Sequence, residues 1–189
     1  MLKVYMYGHP VLRKVSEDIT PDYEGLKELV AQMYDTMYAT EGIGLAAPQI
    51  GRNDRIIVID ASPLAEDYPE CEGLKLTLIN PRLEVLDGPE VSRSEGCLSL
   101  PGLSENVSRV EHVRLKWVDE DFQPREQEFS GFAARVIQHE YDHLEGKVYT
   151  DRISPIRRQL ISGKLRNIAS GKTRASYPAV YATPQRGRR

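Results

Sequence analysis

His139, Glu140 and His143 constrain this chain more than any other feature of its 189 residues. They stand in the run Gln138-His139-Glu140-Tyr141-Asp142-His143, an H-E-x-x-H arrangement. On an α-helix, positions i and i+4 lie one above the other on the same face. Both imidazoles can then reach one metal ion, with Glu140 beside them to handle a proton of water. Ala133, Ala134, Val136 and Ile137 lead in, and Gly146 follows as a C-cap candidate. Phe132, Val136, His139 and His143 share one stripe, which predicts a ligand face turned inward. The plain alternative is two core histidines bonded to backbone; it leaves the placing of Glu140 unexplained. A catalytic metal usually takes three protein ligands and keeps one position open. The third ligand has to come from elsewhere in the chain.

The chain is long enough for one domain with an appendage. No apolar run approaches the length of a membrane span, and no secretory leader is expected after Met1-Leu2-Lys3-Val4. Two cysteines, Cys71 and Cys97, make no disulfide framework and fit a reducing cytosol. His9 and His112 lack ligand spacing and read as surface or packing residues. Charge is uneven. From Arg152 to Arg189 there are ten Lys/Arg and no acid, which leaves 15 bases against 28 acids in the rest. An acidic body with a basic end suggests a polyanionic partner for that end.

Thr20-Pro21 reads as an N-cap with proline at N1, and Leu26, Leu29, Val30, Met33 and Met37 predict a helix from about Asp22 to Ala39. Gly42-Ile43-Gly44-Leu45-Ala46-Ala47-Pro48-Gln49 lacks the Gly-Lys-Ser/Thr of a phosphate loop. It reads as a glycine-rich connection, or as backbone brought close to a ligand with Gln49 supplying an amide donor. Arg55 to Asp60 predicts a buried strand, and Leu76 to Asn80 a second one closed by Pro81. Residues 61–74 read as a surface loop with Cys71 a bystander. Leu83–Leu86 and Glu90–Ser92 flank Asp87-Gly88, a hairpin signal. Val113, Leu115 and Trp117 alternate with Arg114, Lys116 and Val118, roughly a half-buried strand, and Arg125 to Phe129 returns the chain.

Cys97 sits in Ser94-Glu95-Gly96-Cys97-Leu98-Ser99-Leu100-Pro101-Gly102. A lone cysteine there is ordinarily small core filler, but a thiolate also suits a transition metal that lacks a ligand. Near the end, Ser154-Pro155 starts a last helix to about Ala169, with Ile156, Leu160, Ile161, Leu165 and Ile168 as its apolar stripe. Residues 171–189 read as a basic tail, extended or disordered.

Three stretches, in this order, resemble the peptide deformylase family: Gly42 to Gln49, Glu95-Gly96-Cys97-Leu98-Ser99, and Gln138 to His143. The resemblance spans about residues 1–170, taken as the catalytic domain. It implies an α+β fold, with antiparallel β-sheets around the central metal-binding helix and a C-terminal helix. It implies removal of the formyl group from the N-terminal formylmethionine of new polypeptides. Cys97, His139 and His143 would bind the metal, commonly Fe(II), with zinc, nickel or cobalt as substitutes. Glu140 would be the base, and Gln49 and the backbone N–H of Leu98 would meet the oxyanion. Gly44 would line the substrate path through its backbone, and Ile43, Phe132 and Val136 are candidates for an apolar methionine pocket. Glu95 and Arg109 are expected to pair behind the cysteine loop.

The expected setting is the cytoplasm, with nascent chains as substrate and the RNA surface of the ribosome as partner for the basic end, and with no membrane or DNA partner. Two other readings compete. An H-E-x-x-H metallopeptidase would take a downstream Glu or His as third ligand, and only Glu145 and Asp151 are near. An interaction module with structural zinc would need four protein ligands, and so Cys71.

Overall fold

A computed structural model of the chain describes residues 1–182. Five strands form an antiparallel sheet: β2 (Gly44–Ala46), β3 (Ile56–Asp60), β4 (Lys75–Val85), β7 (His112–Val118) and β8 (Pro124–Ser130), adjacent in that order. β5 (Glu90–Gly96) and β6 (Ser104–Val110) pair as a separate antiparallel ribbon. β1 (Val4–Tyr5) and β9 (Ala179–Val180) form a short parallel pair. The helices are α1 (Leu26–Ala39), α2 (Gly131–Leu144), α3 (Pro155–Leu160) and α4 (Ser162–Ala169). This is the α+β fold that the resemblance implies.

β3 shows why the sheet lies in the middle. Ile57 and Ile59 join Ala133, Ala134, Ile137 and Leu144 of α2 in one apolar cluster. Ile56 and Val58 point the other way, to Val30, Met33 and Met37 of α1. A strand covered on both faces needs an unbroken apolar run, and Ile-Ile-Val-Ile supplies it. Each such side chain, fully buried, contributes about 1.5–3 kcal/mol.

α2 is fixed at both ends. Ser130 stands at its N-cap without a side-chain cap bond. The cap comes from afar: the Glu70 carboxylate accepts the Phe132 N–H at 2.6 Å, satisfying a donor that a helix start leaves orphaned. At the other end, Gly146 has φ +67 and sends its N–H to His143 O, while Lys147 N–H reaches Asp142 O. That is a Schellman closure.

Four features differ from the sequence reading. The first helix starts at Leu26, not Asp22. Thr20 to Tyr23 close a turn, and Gly25 at φ +71 cannot continue a right-handed helix. β4 does not stop at Pro81. It bends at Asn80 (φ +51), whose amide bonds both the N–H and the carbonyl of Ile19, and then pairs with β7. There is no hairpin at Asp87-Gly88; the chain passes there from the large sheet to the ribbon, where β5 pairs with β6 in full register. The last helix is two, broken at Ile161 (φ −89, ψ 0), so that Ile161, Leu165 and Ile168 are buried while Ile156 and Leu160 face solvent.

Residues 171–182 include the extended β9 pair. They lie on the body, with Val4 N–H bonded to Pro178 O and Met6 N–H to Val180 O, both at 2.9 Å. Residues 183–189 lie outside the described residues. Among the described residues no helix is long and apolar enough to cross a membrane.

Candidate active site

α2 delivers His139 and His143, and the turn after β5 delivers Cys97. Their ligand atoms all lie within 4.8 Å of one another, with Cys97 Sγ 3.4 Å from His143 Nε2. Imidazole and thiolate are donors that suit a divalent transition metal. The tautomer of His139 is set from behind: its Nδ1 bonds Glu95 Oε2 at 2.8 Å, which leaves Nε2 for a metal. Burial pushes the Cys97 thiol up, but the two imidazoles overcome this and bring it down to about 5 in the metal-free chain. A thiolate is therefore ready for ligation near neutral pH.

Glu95 is the hub behind these ligands. It accepts from Arg109 Nε at 2.7 Å and Nη2 at 3.0 Å, and from Arg135 Nη1 at 2.7 Å. Burial opposes its ionisation, and His139 and Arg109 hold its carboxyl far below the ordinary range. Arg109 also donates to Asp142 at 2.9 Å, and Arg152 closes the chain on Asp142 at 2.5 and 2.6 Å. Arg135 bonds Glu111 as well, at 2.7 Å. The expected Glu95–Arg109 pair is present within a larger ionic network. Sequence reasoning missed Arg135, Asp142 and Glu111. A signal existed for two of them: Arg135, His139 and Asp142 follow i, i+4, i+7 spacing, a charged stripe on a buried helix.

Glu140 faces the glycine-rich segment. A Cβ on Gly44 would lie 2.5 Å from Glu140 Oε1, so only glycine allows this approach. Glu140 Oε2 is buried with no hydrogen-bond partner among the described residues. Burial raises the Glu140 carboxyl above its ordinary value, the direction a base near neutrality needs. Gln49 is buried, its Oε1 accepting Ala46 N–H at 2.9 Å, which aims Nε2 at Cys97 Sγ (3.4 Å) and Ser99 Oγ (3.3 Å). Ile43, Gly44, Gln49, Cys97, Leu98, Phe132, Val136, His139 and Glu140 line a single cleft of about 590 Å³. Phe132 is backed by Tyr68, stacked at 4.1 Å.

The competing ligands lie elsewhere. Glu145 pairs with Arg55, and Asp151 with Arg13 and Arg158. Cys71 is fully buried in the apolar cluster under α2. Among the described residues, the metal-ligating group is Cys97, His139 and His143 alone. Three ligands beside a carboxylate in an accessible cleft fit a catalytic metal rather than a closed structural one.

Fold and site together define a metal-dependent hydrolase. A family model described as polypeptide deformylase matches residues 1–159. The peptide deformylase of Flavobacterium johnsoniae is 47% identical, covering 100% of both chains. Among solved structures, a mutant of Arabidopsis thaliana peptide deformylase 1B superposes with a TM-score of 0.81 at 34% identity, over 90% of this chain and 91% of that one. The Thermus thermophilus peptide deformylase gives 0.77 at 34%, over 89% and 97%. The chain belongs to the polypeptide deformylase family.

Proposed function

We propose that this enzyme removes the formyl group from N-terminal formylmethionine with Glu140 as proton carrier and with Gln49 and the Leu98 N–H as oxyanion donors. One observation carries the reading: Cys97, His139 and His143 converge beside a buried carboxylate in a cleft. A divalent ion held by those three residues, Fe(II) in this reading with zinc, nickel or cobalt as substitutes, supplies the Lewis acidity that makes water a nucleophile at neutral pH. Glu140 takes the water proton as the new bond to the formyl carbon forms. Gln49 Nε2–H and the Leu98 N–H donate to the oxygen that gains charge. Glu140 then returns the proton to the departing amine, giving formate and a free N-terminus. The close approach of Gly44 to Glu140 leaves little room, which suits a formyl carbon bearing only hydrogen. Ile43, Phe132 and Val136 receive the methionine side chain.

The substrate is made on ribosomes, so we place the enzyme in the cytoplasm and its basic C-terminal region against ribosomal RNA. Part of that basic charge is spent on the body: Arg152, Arg157 and Arg158 pair with Asp142, Glu105 and Asp151. Lys164 and Arg166 on α4 are exposed. Arg186, Arg188 and Arg189 lie outside the described residues.

The test is turnover of a formyl-Met-Ala peptide by protein purified without oxygen, with metal analysis. Deformylation with one Fe(II) per chain, lost in air and preserved by nickel, is expected. Cleavage of an unformylated internal peptide instead would return the reading to a general metallopeptidase.

A further inference from the structure

The cleft has one wall outside the three sequence motifs. Ala175, Ser176 and Tyr177 line it together with Leu98, Pro101 and Gly102. The β1–β9 pairing docks this segment, and Ala175 N–H donates to the Tyr181 hydroxyl at 3.0 Å, closing the loop between them. Tyr177 reaches into the cysteine turn. Its hydroxyl donates to the Leu98 carbonyl at 2.6 Å, and its ring packs on the same apolar cluster as Cys97 and Leu98.

The rest of that turn is held by other groups. The Cys97 carbonyl accepts the Leu100 N–H at 2.9 Å, and the Ser99 carbonyl accepts the Tyr7 N–H at 2.8 Å. The Leu98 carbonyl is bonded by a side chain from near the end of the chain. The Leu98 N–H shares one rigid peptide plane with the Cys97 carbonyl, and only φ and ψ of Leu98 join that plane to the plane of its own carbonyl. Anchoring the Leu98 carbonyl between two anchored neighbours therefore limits the direction of the Leu98 N–H. A preorganised donor needs this, because it has to point where charge develops before the reaction begins.

We propose that Tyr177 is a positioning residue of the active site: by holding the Leu98 carbonyl, its hydroxyl aims the Leu98 N–H into the cleft. The proposal rests on the assignment above of that N–H to the oxyanion. It makes the C-terminal segment part of the catalytic apparatus, reached through the β1–β9 pair rather than through the motifs.

The test is Tyr177→Phe in the full chain, which keeps the ring and removes the hydroxyl. With zinc-loaded protein labelled with ¹⁵N at leucine, the Leu98 amide resonance should shift and its hydrogen exchange should quicken, with metal content unchanged. With nickel-loaded protein, kcat on formyl-Met-Ala should fall about 3- to 10-fold, the loss expected of one neutral hydrogen bond, with KM within about twofold. Removing a donor outright would cost about 10²- to 10³-fold. An unmoved Leu98 amide overturns the proposal. So does a raised KM at constant kcat, which would make the segment a wall only. A shifted amide with unchanged kcat overturns it through its premise, the Leu98 donor, while deformylation itself stands. Absence of deformylation by the wild-type protein would instead defeat the functional reading.

Discussion

On α2, Arg135 and Asp142 are 2% and 3% exposed, and each has ionic partners within 3 Å. On α3 and α4, Arg157, Arg158 and Arg166 stand exposed, as do Ile156 at 75% and Leu160 at 70%. Both regions are rich in charge, but the charge acts differently. Around α2 it is desolvated and directional, and it orients His139. On the C-terminal helices it is hydrated and screened by salt. Breaking a pair in the first region strands a buried ion, whereas freeing Arg158 in the second returns its charge to water.

The largest expected effect tests this contrast. Arg109→Met leaves Glu95 and Asp142 short of a partner in the interior and should cost about 3–5 kcal/mol in urea unfolding. Arg158→Met removes a surface pair with Asp151 and should cost at most about 1 kcal/mol. Equal costs would remove the distinction. Within the buried region, chemistry and ligation should also separate. Glu140→Gln should keep its metal and lose at least about 10²-fold in turnover, while Cys97→Ser should lose metal first.

Acid should act through the buried region. Burial opposes ionisation of Glu111, and hydrogen bonds from Arg93 and Arg135 overcome this and lower its carboxyl below the ordinary value. A carboxyl whose folded value lies below its unfolded value, near 4.3, stabilises the native state above about that pH. The contribution is lost as pH falls through the folded value. Glu111→Gln should therefore show a shallower loss of stability in urea titrations between about pH 5 and 3. Parallel slopes for variant and wild type would exclude Glu111.

The same contrast explains what the sequence disclosed. His139, Glu140 and His143 were legible because a helix places i and i+4 together by local geometry alone. The β3 run was legible because burial on both faces demands continuous apolar residues. The α2 cap was not, since Glu70 lies 62 positions from Phe132. Nor was the pairing of β5 with β6: Asp87-Gly88 looks like a tight turn locally, and only the competition among whole strands decides its partners. At the C-terminus the composition was legible and the architecture was not. An apolar stripe from Ile156 to Ile168 reads as one helix, yet the break at Ile161 lets only its second half dock. Tyr177 carried no signal, because its role depends on a two-residue strand pairing with β1.

The smallest effect concerns the exposed charge, and the structure narrows the variant that tests it. Reversing Arg157 would place a second carboxylate beside Glu105, which is 6% exposed, and would confuse stability with binding. Lys164 and Arg166 avoid this, since both are exposed on α4 while Leu165 and Ile168 do the packing. Phosphate contacts give salt-dependent affinity through released counterions, at roughly one unit of log–log slope per contact. Lys164→Glu with Arg166→Glu should therefore weaken cosedimentation with ribosomes and flatten its salt dependence by about one to two units of slope. The melting temperature and the turnover of a short formyl-methionyl peptide should stay at wild-type values, because neither residue touches the cleft or the ionic network. Unchanged ribosome binding at low salt would show that these two cations serve only as a solvated surface.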